Sequence, residues 1–167
     1  MRDILKGFRV VRQFQMGVTI ENPLNLARFL PYRLHLLWAG ISSPRSMALA
    51  SGELVRAREW RVLLVLAEFG PLTNREIADL SSTDTGATAR AIKDLLRLEM
   101  VATRPHSSDR RRQVVALTKT GAAAHDEIAP QRREFSDALL SSLDPEEQSV
   151  LFRIIDKFEV RLKELAP

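Results

Sequence analysis

Apolar residues recur at helical spacing along most of this chain and alternate only near Val101 and Val115, so the pattern predicts a mainly α protein with one small β-hairpin. Leu24, Ala27, Leu34, Trp38 and Ile41 form a first stripe behind the cap-and-proline pair Asn22-Pro23. Pro31 inside that stripe predicts a kink or a break, because it removes a backbone hydrogen bond. Residues 42–52, with Pro44 and Gly52, read as a loop. Residues 53–69 read as a second helix with Trp60, Leu63, Leu64 and Leu66 on its core side, stopped by Gly70-Pro71. Thr73-Asn74-Arg75-Glu76 has the form of a capping box and predicts a short helix whose apolar side is Ile77, Ala78 and Leu80, ending in a Ser81-Ser82-Thr83 turn. Asp84 caps the next helix. There Thr88, Ile92, Leu95 and Leu96 repeat on one side, while Thr85, Gly86, Ala87, Ala89, Arg90 and Lys93 occupy another. Val101 to Arg104 and Gln113 to Leu117 pair as strands around a polar loop. The helical pattern returns after Gly121 through Leu143, interrupted by Pro130, and Asp144-Pro145-Glu146-Glu147 opens a last helix. Its Leu151, Ile155, Phe158, Leu162 and Leu165 step by four and three, the spacing of a seam against another helix.

Helix, turn, helix and then a hairpin is the order of a winged helix-turn-helix, here joined to a helical dimerisation region. The outer face of the helix capped by Asp84 is small, polar and basic. Such a face can sink into the roughly 12 Å major groove, where Thr meets base edges and Arg reaches guanine or phosphate. Taken alone, the two helices fit an ordinary helical hairpin with a solvated face equally well. The hairpin tip shifts the balance, because Arg104, His106, Arg110, Arg111 and Arg112 crowd around a single acid, Asp109. That density of positive charge repels itself unless an anion is near, and a phosphate backbone is the natural one. The candidate DNA contacts are therefore Thr73, Asp84, Thr85, Gly86, Ala87, Ala89, Arg90, Lys93, Arg110, Arg111 and Arg112.

Asp109-x-Arg111 followed by Leu117-Thr118-x-x-Gly121 matches the wing signature D-x-R-x5-L-T-x-x-G at every fixed position, and the chain resembles the MarR family of bacterial transcriptional regulators. Trp60-Arg61-Val62-Leu63, Leu72-Thr73, Glu76-Ile77-Ala78 and Arg90-Ala91-Ile92 extend the likeness over roughly residues 23–165. The resemblance implies that Asp109 braces the wing by pairing with an arginine and that Arg111 enters the minor groove. It further implies a repressor with a small, often aromatic or anionic effector held between the dimerisation helices and the winged head, which changes the distance between two recognition helices. Tyr32, His35, Trp38, Arg58 and Trp60 are candidates to line such a pocket, with core packing the competing reading for Trp38 and Trp60. Two departures matter. Thr85, Ala87 and Ala89 stand where the family often carries Lys, Thr and Ser, so base preference cannot be carried over from relatives. Glu99 replaces the usual Gly after the recognition helix, which predicts a different helix end.

The implied organisation is an extension over residues 1–22, a dimerisation region over 23–52 and 121–167, and a DNA-binding head over 53–120. Residues 1–22 carry no continuous apolar run of a signal peptide, and the longest apolar stretch, Val62 to Ala67, is too short for a bilayer span, so a cytoplasmic protein is expected. With 167 residues, 45% of them hydrophobic, the chain suits one domain with a sizeable core. A formal net charge of +4 is modest, so the partner is inferred from the clustering of basic residues at the wing. The absence of cysteine excludes disulfides, thiolate-bound zinc and thiol-based peroxide sensing. No catalytic constellation, cofactor or metal site is expected, since the histidines (His35, His106, His125) fall in different segments and no Gly-rich phosphate loop occurs. Two alternatives remain open, a metal-responsive regulator using His35 or His125 and a winged-helix protein-interaction module without DNA binding. The expected partners are a pseudo-palindromic DNA duplex, a second copy of the chain as homodimer through Leu151, Ile155, Phe158, Leu162 and Leu165, and the small-molecule effector.

Overall fold

The structure, a computed structural model, describes residues 21, 24–41, 47–105 and 113–165. The chain divides into two units, Met1–Pro44 and Arg45–Pro167. The first unit holds one described helix, α1 (Leu30–Ile41), with no buried residue. It starts later than the stripe predicts. Residues 26–28 form a turn in which the Arg28 N–H donates to the Asn25 carbonyl at 2.9 Å, and Pro31 sits in the first turn of α1. The N–H that proline lacks would have had no intrahelical acceptor at that position, so the break falls before Pro31 and costs no hydrogen bond.

The second unit opens with a hairpin in place of the expected loop. β1 (Met47–Ala48) pairs antiparallel with β2 (Leu54–Val55), and Gly52 takes φ +93° in the turn between them. Helix α2 (Ala57–Phe69) therefore begins four residues later than predicted, after the N-cap Arg56, whose N–H donates to the Glu59 carboxylate at 2.7 Å. Helices α3 (Asn74–Leu80) and α4 (Thr85–Arg97) start where their caps predict. Strands β3 (Val101–Pro105) and β4 (Gln113–Leu117) pair antiparallel from Val101↔Leu117 to Pro105↔Gln113. A further bridge, Leu72↔Val115, ties the segment before α3 to the base of this hairpin.

The core gathers beneath α4, where Trp60, Leu63 and Leu66 of α2 meet Ile77, Ala91, Ile92, Leu95, Met100 and Val115. Leu64, Leu80 and Leu96, expected inside, are exposed at 45%, 48% and 38%. Val62 and Ala91 are buried in that layer instead, and Val65 is also buried. Helix α5 (Lys119–Leu140) starts two residues before Gly121 and runs through Pro130 without a break, contrary to the predicted interruption. Its buried positions, Gly121, Ala124 and Ile128, all precede the proline, so the helix is anchored ahead of the lost hydrogen bond. Helix α6 (Pro145–Leu165) is capped reciprocally, the Glu147 N–H donating to Asp144 and the Asp144 N–H to Glu147. None of its residues is buried, and Leu151, Ile155, Phe158, Leu162 and Leu165 are between 36% and 66% exposed. Among the described residues no helix is long and apolar enough to cross a membrane.

Candidate nucleic-acid interface

The α3–turn–α4 unit is fastened by side chains that satisfy helix ends. Thr73 Oγ1 accepts from the Glu76 N–H at 3.3 Å while the Glu76 carboxylate accepts from both the N–H and the hydroxyl of Thr73, each at 2.8 Å. The turn is closed by Ser81 Oγ donating to the Ile77 carbonyl at 2.6 Å, and Ser82 takes φ +48°. Asp84 accepts from the Ala87 N–H at 2.8 Å, and Asn74 donates across the helix pair to the Thr85 carbonyl at 3.2 Å. These bonds set the angle between the two helices by joining the first turn of each. Thr88, Ala91, Ile92 and Leu95 bury one side of α4. Gly86, Arg90, Lys93 and Arg97, spaced by four, three and four, run along the opposite side and are exposed.

The Leu117-Thr118-x-x-Gly121 motif has a structural cause. The Thr118 N–H donates to the Met100 carbonyl at 3.1 Å, its hydroxyl donates to the Glu99 carbonyl at 2.6 Å, and its oxygen accepts from the Gly121 N–H at 3.1 Å. One residue thereby caps α5 and holds the chain leaving α4. A Cβ on Gly121 would lie 1.9 Å from the Met100 carbonyl oxygen, so only glycine allows this approach. Glu99 keeps the left-handed turn, with φ +55°, that a glycine would have supplied. The different helix end expected from the substitution does not occur, because Met100 and Thr118 hold both sides of the turn. The strain is of order 1 kcal/mol.

The sequence-predicted residues separate into groups. Thr85, Gly86, Ala89, Arg90 and Lys93 share the open side of α4, with Ala87 half-buried beside them. Thr73 is 8% exposed and its hydroxyl is engaged by Glu76 in both directions, so it builds the helix end and does not offer a free contact. Asp84 is exposed and serves as the cap of α4. His106, Asp109, Arg110, Arg111 and Arg112 lie outside the described residues. Arg104 is exposed on β3, one residue before the strand ends at Pro105. Tyr32, His35 and Trp38 belong to the first unit, Arg58 and Trp60 to the second. Trp60 is 5% exposed and stacks on His125 with ring centroids 5.4 Å apart, which places it in the core. Among the described residues no group of His, Cys, Asp or Glu is arranged to hold a metal ion.

Two residues of this surface escaped the sequence reading. Arg97 lies one turn beyond Lys93 on the outer stripe, and Asp94 lies beside it, bonded to Arg97 and, at 2.6 Å, to Arg58 of α2. The bond from Arg97 holds the Asp94 carboxyl below its ordinary pKa; partial burial opposes this and Arg58 adds to it. The signal for Arg97 was the four-three-four spacing. The Arg58–Asp94 contact joins separate helices and has no local signature.

Comparison with known proteins points one way. The sequence profile of the MarR family matches residues 55–112. The HTH-type transcriptional repressor NicR of Pseudomonas putida is 32% identical over 96 residues, 57% of this chain and 60% of its own length. The HTH-type transcriptional regulator YwoH of Bacillus subtilis is 32% identical over 99 residues, 58% of this chain and 72% of its own length. The chain thus spans about three fifths of the length of NicR. In three dimensions, a MarR family transcriptional regulator from Silicibacter pomeroyi superposes with a TM-score of 0.70 at 25% identity, covering 89% of this chain and 98% of that one. BpsR of Bordetella bronchiseptica, whose DNA binding is regulated by 6-hydroxynicotinic acid, shares the fold at a TM-score of 0.63 and 21% identity, covering 78% of this chain and 96% of that one.

Proposed function

The chain belongs to the MarR family, and on that premise we propose that it is a homodimeric repressor that binds a pseudo-palindromic operator and is released by a small aromatic or anionic effector. The observation that carries the DNA-binding reading is the exposed stripe Gly86, Arg90 and Lys93 on α4, small at the helix start and cationic beyond it, directly opposite the buried Thr88, Ala91, Ile92 and Leu95. The small end lets the backbone approach base edges and the arginine reaches guanine or phosphate. Arg111 of the wing is assigned to the minor groove, with Arg110 and Arg112 on phosphates or in solvent. Dimerisation is supported by α6, whose apolar seam is exposed in the single chain, an arrangement that commonly marks a protein interface. Two copies about a two-fold axis put two recognition helices on one face of a duplex, with half-sites centred roughly 10 bp apart. The repressor and effector assignments draw on NicR, a repressor, and on BpsR, regulated by an aromatic acid. Tyr32 and His35 are proposed as effector contacts, and the protein acts in the cytoplasm, where its operator is.

Gel-shift titration on DNA flanking its own gene tests the reading. Arg90→Ala costs roughly 1–3 kcal/mol of operator binding and relaxes preference at one position of each half-site if Arg90 meets a guanine. Parental affinity for both Arg90→Ala and Arg111→Ala removes the proposed interface.

A further inference from the structure

The outer stripe of α4 does not end at Lys93. Arg58, Arg90, Lys93, Asp94 and Arg97 line one open cleft of about 420 Å³ between the N-terminal turn of α2 and the C-terminal half of α4. Arg56 approaches the same carboxylate, 3.9 Å from Asp94. The cleft is built around an over-subscribed acid. Asp94, with 17% of its side chain exposed, bonds Arg97 and Arg58 at once, while the buried Glu59 accepts from the Arg56 N–H and lies 3.5 Å from Arg58 Nε. Five cations, Arg56, Arg58, Arg90, Lys93 and Arg97, therefore face three carboxylates, Asp94, Glu59 and, across Gly86 from Arg90, Asp84. Arg90 and Lys93 have no ion-pair partner among the described residues. If the cluster served only to fasten α2 to α4, the Arg58–Asp94 bond would suffice. The surplus charge repels itself unless an anion enters.

Length identifies the anion. From Gly86 to Arg97 the stripe spans eleven residues, roughly 16 Å at 1.5 Å per residue. The major groove is roughly 12 Å wide. A helix that seats its first turn on base edges carries its last turn past the groove to the phosphate rim. There Arg97, 70% exposed at the side chain, and Arg58, 43% exposed, are held side by side on one carboxylate with guanidinium N–H groups still unused. We propose that Arg58 and Arg97, tied together by Asp94, form a phosphodiester grip that extends the DNA contact from the recognition helix onto α2. The inference rests on the DNA-binding reading of α4 and adds residues that reading does not contain.

The test is the salt dependence of operator binding by the full-length protein, with folding checked by thermal melting. Each phosphate contact contributes about 0.9 to the slope of log K against log salt, so losing one from each half-site makes the fall in affinity between 50 and 200 mM salt about 12-fold smaller. Arg58→Gln and Arg97→Gln are each expected to show that reduction with the ratio of operator to scrambled-duplex affinity unchanged, and Arg97→Lys to keep the parental slope. A purely structural ion pair would move the melting temperature but not the slope. Because Arg97 is so exposed, its substitution leaves the fold intact and the test readable even if Arg58→Gln is unstable. A parental slope for Arg97→Gln, with Arg90→Ala still impaired, overturns the grip and leaves the DNA-binding reading standing. Parental binding by Arg90→Ala as well would instead sink that reading. Exchanging chloride for inorganic phosphate at fixed ionic strength separates duplex from free anion. Specific competition in the parent that disappears in Arg97→Gln would assign the cleft to a small anion and overturn the grip.

Discussion

Gly121→Ala isolates the clamp between α4 and α5. At an open helical position the change from glycine to alanine stabilises by about 1 kcal/mol. Here the added methyl carbon would sit 1.9 Å from the Met100 carbonyl oxygen and 2.8 Å from its carbon, both backbone atoms that no rotamer can move. Relief requires shifting the first turn of α5, which stretches the Thr118 N–H bond to Met100 and the Gly121 N–H bond to Thr118. Overpacking of this kind costs about 1–3 kcal/mol, and a lost cap and a lost hydrogen bond about 1 kcal/mol each. Set against the propensity gain, the net is a loss of about 2–4 kcal/mol. At roughly 2–4 °C per kcal/mol for a chain of this size, the melting temperature falls by about 4–16 °C. Differential scanning calorimetry at one fixed protein concentration compares the two proteins under the same subunit equilibrium conditions. Gly86→Ala is the internal control, since a Cβ there meets only the ends of the Asp84 and Arg90 side chains, at 3.2 and 3.7 Å. It is expected to hold or raise the melting temperature. A Gly121→Ala protein melting at or above the parent would refute the claim that the Met100 carbonyl packs against α5.

Glu99→Gly relieves a left-handed residue and is expected to stabilise by about 1 kcal/mol, seen as a higher urea midpoint; an unchanged or lower midpoint counts against strain at this turn. Asp94 has its pKa lowered in the fold, so its contribution is present above the ordinary aspartate range and is lost as pH falls through the depressed value. Asp94→Asn is therefore expected to flatten the acid limb of a melting-temperature profile, and a limb of parental steepness refutes the assignment. Replacing Phe158 and Leu162 by Asp produces either unfolding or a monomer with nearly non-specific DNA affinity, whereas Lys163→Ala does neither. Light scattering that finds a folded monomer with full operator affinity would overturn dimerisation through α6.

The parts of the fold legible in the sequence are those decided within a few residues. Thr73, Asp84 and Asp144 cap the helices they were assigned to because a cap acts on an N–H three positions away. The hairpin pairing Val101 with Leu117 was readable from its alternation. The β1–β2 pair was not, since two-residue strands carry no periodicity. The start of α2 was misplaced because Arg56 is not a usual cap, although Glu59 three residues on marked the true position. The exposure of Leu64, Leu80 and Leu96 depends on which neighbours cover each helix, information that no local window contains. The same holds for Asp94, whose partners come from two helices.

The hairpin has one further implication, for engineering. Its base is fastened twice, by the β3–β4 ladder and by the mutual bonds of Leu72 and Val115 at 3.0 and 2.7 Å, while the last rung pairs Gln113 with Pro105, a residue with no N–H to give. The hairpin is thus held most firmly at the end next to Leu72 and least firmly at the Pro105 end. Changes at the Pro105–Gln113 rung therefore disturb the fold less than changes at Val115, whose bonds to Leu72 join the hairpin to the segment before α3.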